Sequence, residues 1–284
     1  MTRAEQIAAA FLAACAEEIA APKPGNVHAF GNGHGMTAQD FLTSAEAASA
    51  ALCTAGGPLG ARVLGAIRAT RRAVGMNTNL GIILLCAPLA MAAEAGDDLP
   101  AGTPRICENA DLADTEAVFQ AIVLASPGGL GYAARHDVRS PARVRLAEAM
   151  AEAAGRDRIA RQYVTGFADV LGDGLAAYVA GWVRWNDRIW ATLATYLHHL
   201  AASPDSHIVR KQGVAAAEQV QSAAHDVAVR LLASRDPALL LPELLAWDAA
   251  LKRDGLNPGT SADLTAATIF AERLAGLHSA GEDG

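Results

Sequence analysis

Along most of this chain apolar residues return every three to four positions, the spacing of helices with one buried face. Ile7, Phe11, Cys15 and Ile19 recur at four-residue intervals behind Thr2, which predicts a first helix that stops before Pro22. Thr37 followed three residues later by Asp40 has the form of a capping box. It predicts a second helix through Phe41, Ala45, Ala48 and Leu52, ended by Gly56-Gly57-Pro58. The same reading predicts helices over 61–74, 79–95, 112–125, 141–154, 157–171, 175–200, 212–233, 237–252 and 261–277. Polar and turn-forming residues gather at 96–110, 126–140 and 203–211, which are expected as loops. No β-rich segment, low-complexity linker or fixed-period repeat stands out. The expectation is an all-α, single-domain orthogonal bundle of about ten or more helices spanning residues 1–284.

Composition supports that expectation and narrows the partners. Hydrophobic residues make up 52% of the chain and aromatics only 5%, with alanine abundant, which suits close-packed helices. Asp and Glu number 30 against 23 Lys and Arg, a net charge of −7 that argues against a general nucleic-acid or anionic-membrane binder. Phosphate binding, if present, must be local. The longest apolar run, Leu80 to Ala93, is too short for a membrane span of about 20 residues and contains Pro88, so it is expected as a core helix. Cys15, Cys53, Cys86 and Cys107 show no metal or redox spacing and are expected as reduced, mostly buried thiols. Leu12-Ala13-Ala14-Cys15 resembles a lipobox, but Glu5 precedes a very short apolar run and Glu17-Glu18 follow it. A cytoplasmic protein is expected.

Two turns carry candidate chemistry. Ala21-Pro22-Lys23-Pro24-Gly25-Asn26-Val27-His28 holds a lysine, an amide and an imidazole on a backbone restricted by two prolines, which suits an anionic ligand. Lys23 and Asn26 are candidate ligand contacts and His28 a candidate catalytic group. Gly75-Met76-Asn77-Thr78-Asn79-Leu80-Gly81 sets Asn77, Thr78 and Asn79 ahead of an apolar helix, more hydrogen-bonding side chains than one cap needs. Asp40 and Ser44 share one helix face at i and i+4, as candidate metal or hydroxyl contacts. Ser126-Pro127-Gly128-Gly129-Leu130-Gly131 resembles a phosphate cradle without the lysine of a P-loop, and Asp137 follows it as a candidate Mg²⁺ ligand. Trp182, Trp185 and Trp190 sit at helical spacing and are expected to pack.

Four separated stretches in order make the chain similar to a known family. Pro22-Lys23-Pro24-Gly25, Asn77-Thr78-Asn79-Leu80-Gly81, Asp205-Ser206-His207-Ile208-Val209-Arg210 and Asn257-Pro258-Gly259-Thr260-Ser261-Ala262-Asp263-Leu264 resemble the triphosphoribosyl-dephospho-CoA synthase family over nearly the whole chain. Better-known members carry a histidine and lysine after the Asn-Thr of the second motif and an aspartate near the end of the first. This chain has Asn79-Leu80 and His28 there, and so resembles a divergent member.

The resemblance implies a transferase that moves the triphosphoribosyl group of ATP to 3′-dephospho-CoA or a related acceptor and releases adenine, making the precursor of a carrier-protein prosthetic group. Displacement at the ribose anomeric carbon passes through an oxocarbenium-like state and calls for a carboxylate, with a donor toward the leaving base. The triphosphate calls for Mg²⁺ and basic side chains. On this reading Asp40, Asp137 and His28 are the catalytic candidates, and Asp40, Asp137 and Asp205 the metal candidates. Lys23, Asn26, Ser44, Asn77, Thr78, Asn79, Arg210, Ser261 and Asp263 are the ligand contacts, and a homodimer is possible. His136-Asp137 and His225-Asp226 leave open a metal-dependent phosphohydrolase of the HD type, and the departures at Asn79 and His28 a retargeted member acting in pterin-type cofactor synthesis.

Overall fold

A computed structural model describes residues 1–282, and its secondary structure is helical throughout, apart from two isolated bridges, His28 to Gly31 and Gly33 to Met36. Fourteen α-helices occur among the described residues. The first four build most of the larger core: α1 (Arg3–Ala20), α2 (Ala38–Leu52), α3 (Leu59–Val74) and α4 (Leu80–Ala95). Capping boxes start α1 at Thr2 and Glu5 and α2 at Thr37 and Asp40, the second as the sequence pattern predicts. Then follow α5 (Leu99–Asn109), α6 (Leu112–Ala125), α7 (Leu146–Ala153) and α8 (Arg158–Thr165), with a π-helical turn over Ala168–Gly174. The chain continues through α9 (Leu175–Trp185), α10 (Arg188–Ala202), α11 (Ser206–Gln212), α12 (Val214–Ala233), a 3₁₀ turn over Pro237–Leu240, α13 (Leu241–Arg253) and α14 (Gly259–Glu282).

Two hydrophobic cores meet along α14, which gives Leu264, Phe270 and Leu274 to the larger and Ala262 to the smaller, built mainly by α10 to α13. Phe11 and Phe270, both fully buried, meet edge to face at 5.8 Å and tie α1 to α14. Each such ring contributes about 1.5–3 kcal/mol by leaving water. The apolar run around Leu80 is the core helix α4, with Pro88 inside it. Proline has no N–H to give the carbonyl four residues back. The buried Tyr163 hydroxyl fills that gap, donating to Leu84 O at 2.6 Å, so the helix runs on to Ala95. No single described helix is long and apolar enough to cross a membrane. All four cysteines are buried free thiols.

Five predicted boundaries change: the helix expected over 141–154 begins only at Leu146, and four others differ. The expected loop 96–110 contains α5, because Pro100 sits in its first turn, where a missing N–H costs nothing. The predicted helix 175–200 is two helices: Asn186 adopts φ +50° and closes α9, and Asp187 caps α10. The helix predicted over 157–171 ends at Thr165, where Gly166 adopts φ +66°, and gives way to the π-helical turn. The tract 203–211 forms α11, capped by Asp205.

Candidate active site

A cavity of about 980 Å³ opens between the end of α1, the loop 21–37, the turn before α4, the loop after α6, the α7–α8 corner, α11 and the start of α14. Of the five carboxylates that line it, Glu18 of α1 and Asp263 of α14 come from opposite chain ends. Glu18 is buried and ion-paired with Lys23, whose ammonium also donates to Asn26 Oδ1 and Val27 O at 3.0 Å each. Burial pushes the Glu18 carboxyl up and the Lys23 ammonium down, and each partner's charge opposes that push. Asn26 carries the network onward, donating to Asn257 Oδ1 at 2.9 Å.

Asp263 stands in contrast. Among the described residues its carboxylate accepts no hydrogen bond and has no cation within ion-pair distance. Burial pushes it well above the usual carboxylate range; Glu18, Asp205 and Asp157 push the same way and Arg210 opposes them. It lies against the first turn of α4, so close to Gly81 that a Cβ there would fall 2.0 Å from Asp263 Oδ2. Gly81 is therefore the space that the carboxylate occupies.

The turn before α4 presents Asn77 and Thr78 to the cavity. Asn77 Oδ1 accepts the Leu80 N–H at 3.2 Å, leaving its amide group without a partner among the described residues. The Thr78 hydroxyl donates to Ser44 Oγ at 2.6 Å, and Ser44 donates to Asp40 O. Asn79 turns away, accepting from the Thr70 hydroxyl at 3.1 Å inside the core. Across the cavity the loop after α6 brings Asp137, held below the usual carboxylate range by the N–H groups of Ala133 and Arg139. Arg210 reaches Gly128 O and Asp157, each at 3.2 Å.

Of the residues expected at the site, the cavity thus gathers Asn26, Asn77, Thr78, Asp137, Arg210 and Asp263. Lys23, His28, Asp40, Ser44, Asn79, Asp205 and Ser261 do not line it. Lys23 is fully buried behind Glu18, where it positions a carboxylate and has no free face for a phosphate. His28 accepts the Phe30 N–H through Nδ1, and its Nε2 lies 3.3 Å from Asp248, so it joins the loop to α13. Burial lowers its pKa, against the pull of Asp248. Asp40 spends its Oδ2 on the capping box and on the Thr37 hydroxyl. Asp205 is buried with both oxygens engaged, by His207 and Ile208 N–H on one and by Ser261 N–H and hydroxyl on the other at 2.8 Å. It ties α11 to α14. Among the described residues no three His, Cys, Asp or Glu side chains come together as a metal site, and Asp40, Asp137 and Asp205 lie on separate elements. His225 and Asp226 lie exposed on α12, away from the cavity. Trp185 and Trp190 pack on the smaller core, as expected, and Trp182 lies under the Arg188 guanidinium at 5.0 Å.

Glu18 is the residue that motif reasoning missed. The signal was present: it falls four residues after Ala14 and three after Cys15, on the apolar face, where an acid is rarely buried without a partner. Arg71, Arg156 and Lys211 also reach the cavity without belonging to any of the motifs.

Comparison with known proteins identifies the family. No curated protein matches the chain. A crystal structure from Archaeoglobus fulgidus, provisionally named a triphosphoribosyl-dephospho-CoA synthase, is similar with a TM-score of 0.63 and 26% identity, over 81% of this chain and 96% of that one. The profile of the CitG family, ATP:dephospho-CoA triphosphoribosyl transferase, matches residues 4–281. The chain belongs to that family and is a transferase that moves the triphosphoribosyl group of ATP to dephospho-CoA.

Proposed function

We propose that the transfer runs in the 980 Å³ cavity on the pair Glu18 and Asp263, one carboxylate with a lysine beside it and one with none. That asymmetry is the observation that carries the reading: burial raises both acids, but only Glu18 has a lysine that opposes it, and unlike environments assign two acids different roles. Glu18, whose ionised form Lys23 favours, takes the proton from the acceptor hydroxyl as its oxygen attacks the anomeric carbon of the ATP ribose. Asp263, kept neutral, gives its proton to adenine as the carbon–nitrogen bond breaks. One C–O bond forms, one C–N bond breaks, and one proton enters and one leaves the pair. Thr78, Asn77 and the Asn26–Asn257 pair offer hydrogen bonds to ribose or base.

The phosphates are matched by Arg71, Arg156, Arg210 and Lys211, which line the same cavity. Mg²⁺ fits this donor set as an ion carried on the triphosphate, since it keeps several waters and needs only one or two carboxylates. Asp137, ionised and at the cavity wall, is the residue that would hold it there. Bound Mg²⁺ would neutralise phosphate charge. The test is mass spectrometry of wild type, Glu18→Gln and Asp263→Asn given ATP, Mg²⁺ and 3′-dephospho-CoA. Adenine and adduct appear together with wild type, and either substitution lowers both by about 10²–10⁴-fold. A donor with a better leaving base rescues Asp263→Asn but not Glu18→Gln. Wild-type turnover in both variants would refute the assignment.

A further inference from the structure

Lys211 is a cation that the carboxylate chemistry leaves unused. It lies at the end of α11, faces the cavity, and among the described residues makes no hydrogen bond or ion pair. The loop after α6 lies flush on this end of α11 because it carries glycine there. A Cβ on Gly128 would fall 2.7 Å from Lys211 Cε, and one on Gly129 would fall 2.9 Å from Arg210 O. Gly129 and Gly131 both adopt positive φ, at +73° and +64°. The N–H groups of residues 128–131 find no acceptor among the described residues. Free backbone donors beside two cations make an anion cradle.

His207, on the same wall, reports the local field. Its Nε2 is buried without a partner, and its ring lies against Gly259 at the start of α14. Burial together with Lys211, Arg210 and His34 pushes it down to about 3, and no carboxylate offsets them.

The cations also have an order. Arg210 is half-buried, its side chain 24% exposed, whereas Lys211 beside it is exposed. Arg210 thus sits on the buried side of this wall and Lys211 on the outer side, the direction in which a triphosphate leads away from its ribose. We infer that the glycine strip 128–131 and the end of α11 form the polyphosphate cradle of the donor, and that Lys211 reads its terminal phosphate and so selects a nucleoside triphosphate over a diphosphate. This rests on the cavity being the transfer site.

The test is calorimetric titration of MgATP and MgADP into wild type, Lys211→Ala and Arg210→Ala, separate from any measurement of turnover. Wild type binds ATP at least about tenfold more tightly than ADP, a ratio that one charge-assisted contact supplies. Lys211→Ala brings the two within about threefold and leaves dephospho-CoA affinity unchanged, while Arg210→Ala weakens both nucleotides alike. Gly128→Ala, which displaces the Lys211 side chain, lowers the ATP-to-ADP ratio as well. An unchanged ratio in Lys211→Ala overturns the inference and leaves the carboxylate assignment standing. Failure of wild type to bind either nucleotide overturns both.

Discussion

Gly81→Ala tests the site through the one contact that geometry makes most exacting. The added Cβ would lie 2.0 Å from Asp263 Oδ2 and 2.6 Å from its Cγ, about 1.4 Å inside ordinary contact for the oxygen. Both backbones are anchored, since Leu80, Ile82 and Ile83 of α4 and Leu264 and Ala266 of α14 are buried. The carboxyl is held by no hydrogen bond among the described residues, so it is the part that moves, by more than 1 Å. A misplacement of that size at a reacting group costs about 10²-fold in rate. Stability responds much less. Alanine in place of glycine within a helix gains about 0.5–1 kcal/mol, against roughly 1–3 kcal/mol for local overpacking. At about 2–4 °C per kcal/mol the melting temperature falls by less than about 10 °C. The assay pairs adenine release at saturating substrates with a melting curve followed by circular dichroism. Because the substitution acts through Asp263, the double variant Gly81→Ala/Asp263→Asn is no slower than Asp263→Asn alone. A folded Gly81→Ala enzyme within threefold of wild-type turnover, or additive losses in the double variant, would refute the reasoning.

Asp263→Asn has a second readout. The folded-state pKa of Asp263 lies above its unfolded value, so the stability it contributes is fully present below the unfolded pKa and is lost as pH rises through the folded one. The variant therefore melts higher than wild type at pH 8 while losing turnover, and the difference closes in acid; a lower melting temperature at pH 8 would contradict the uncompensated burial. The same direction makes wild-type turnover fall at high pH, as Asp263 loses the proton it must donate, and a rate that keeps rising through pH 9 would remove it as the acid. Lys23→Met breaks a buried ion pair and costs about 3–5 kcal/mol, a melting loss of roughly 6–20 °C, checked by thermal denaturation before any kinetic measurement. Asp40→Asn loosens a capping box by about 0.5–1 kcal/mol and leaves turnover within twofold, measured by the adenine-release assay.

Helix positions were legible where local rules decide them. Thr2 and Glu5, and Thr37 and Asp40, specify two helix starts by side chains three residues apart, and the structure uses both pairs. The break at Asn186 was hidden because apolar spacing continues across it and only a left-handed backbone interrupts the helix. The site shows the same division between what is local and what is not. A polar residue in a turn announces itself, but whether it faces ligand or supports a neighbour depends on the element packed behind it. Lys23 and Glu18 are five residues apart, and the turn folds the ammonium back onto the helix it follows, so the more conspicuous residue is the support and the less conspicuous one faces the cavity. Asp205 and Ser261 look like two ligand contacts in two motifs until α11 and α14 meet, when each satisfies the other. Asp263 was in view from the start because its motif opens a helix, yet its significance comes from Gly81, 182 residues earlier in the chain, whose missing side chain is what lets the carboxylate face the same cavity as Glu18 with no partner among the described residues.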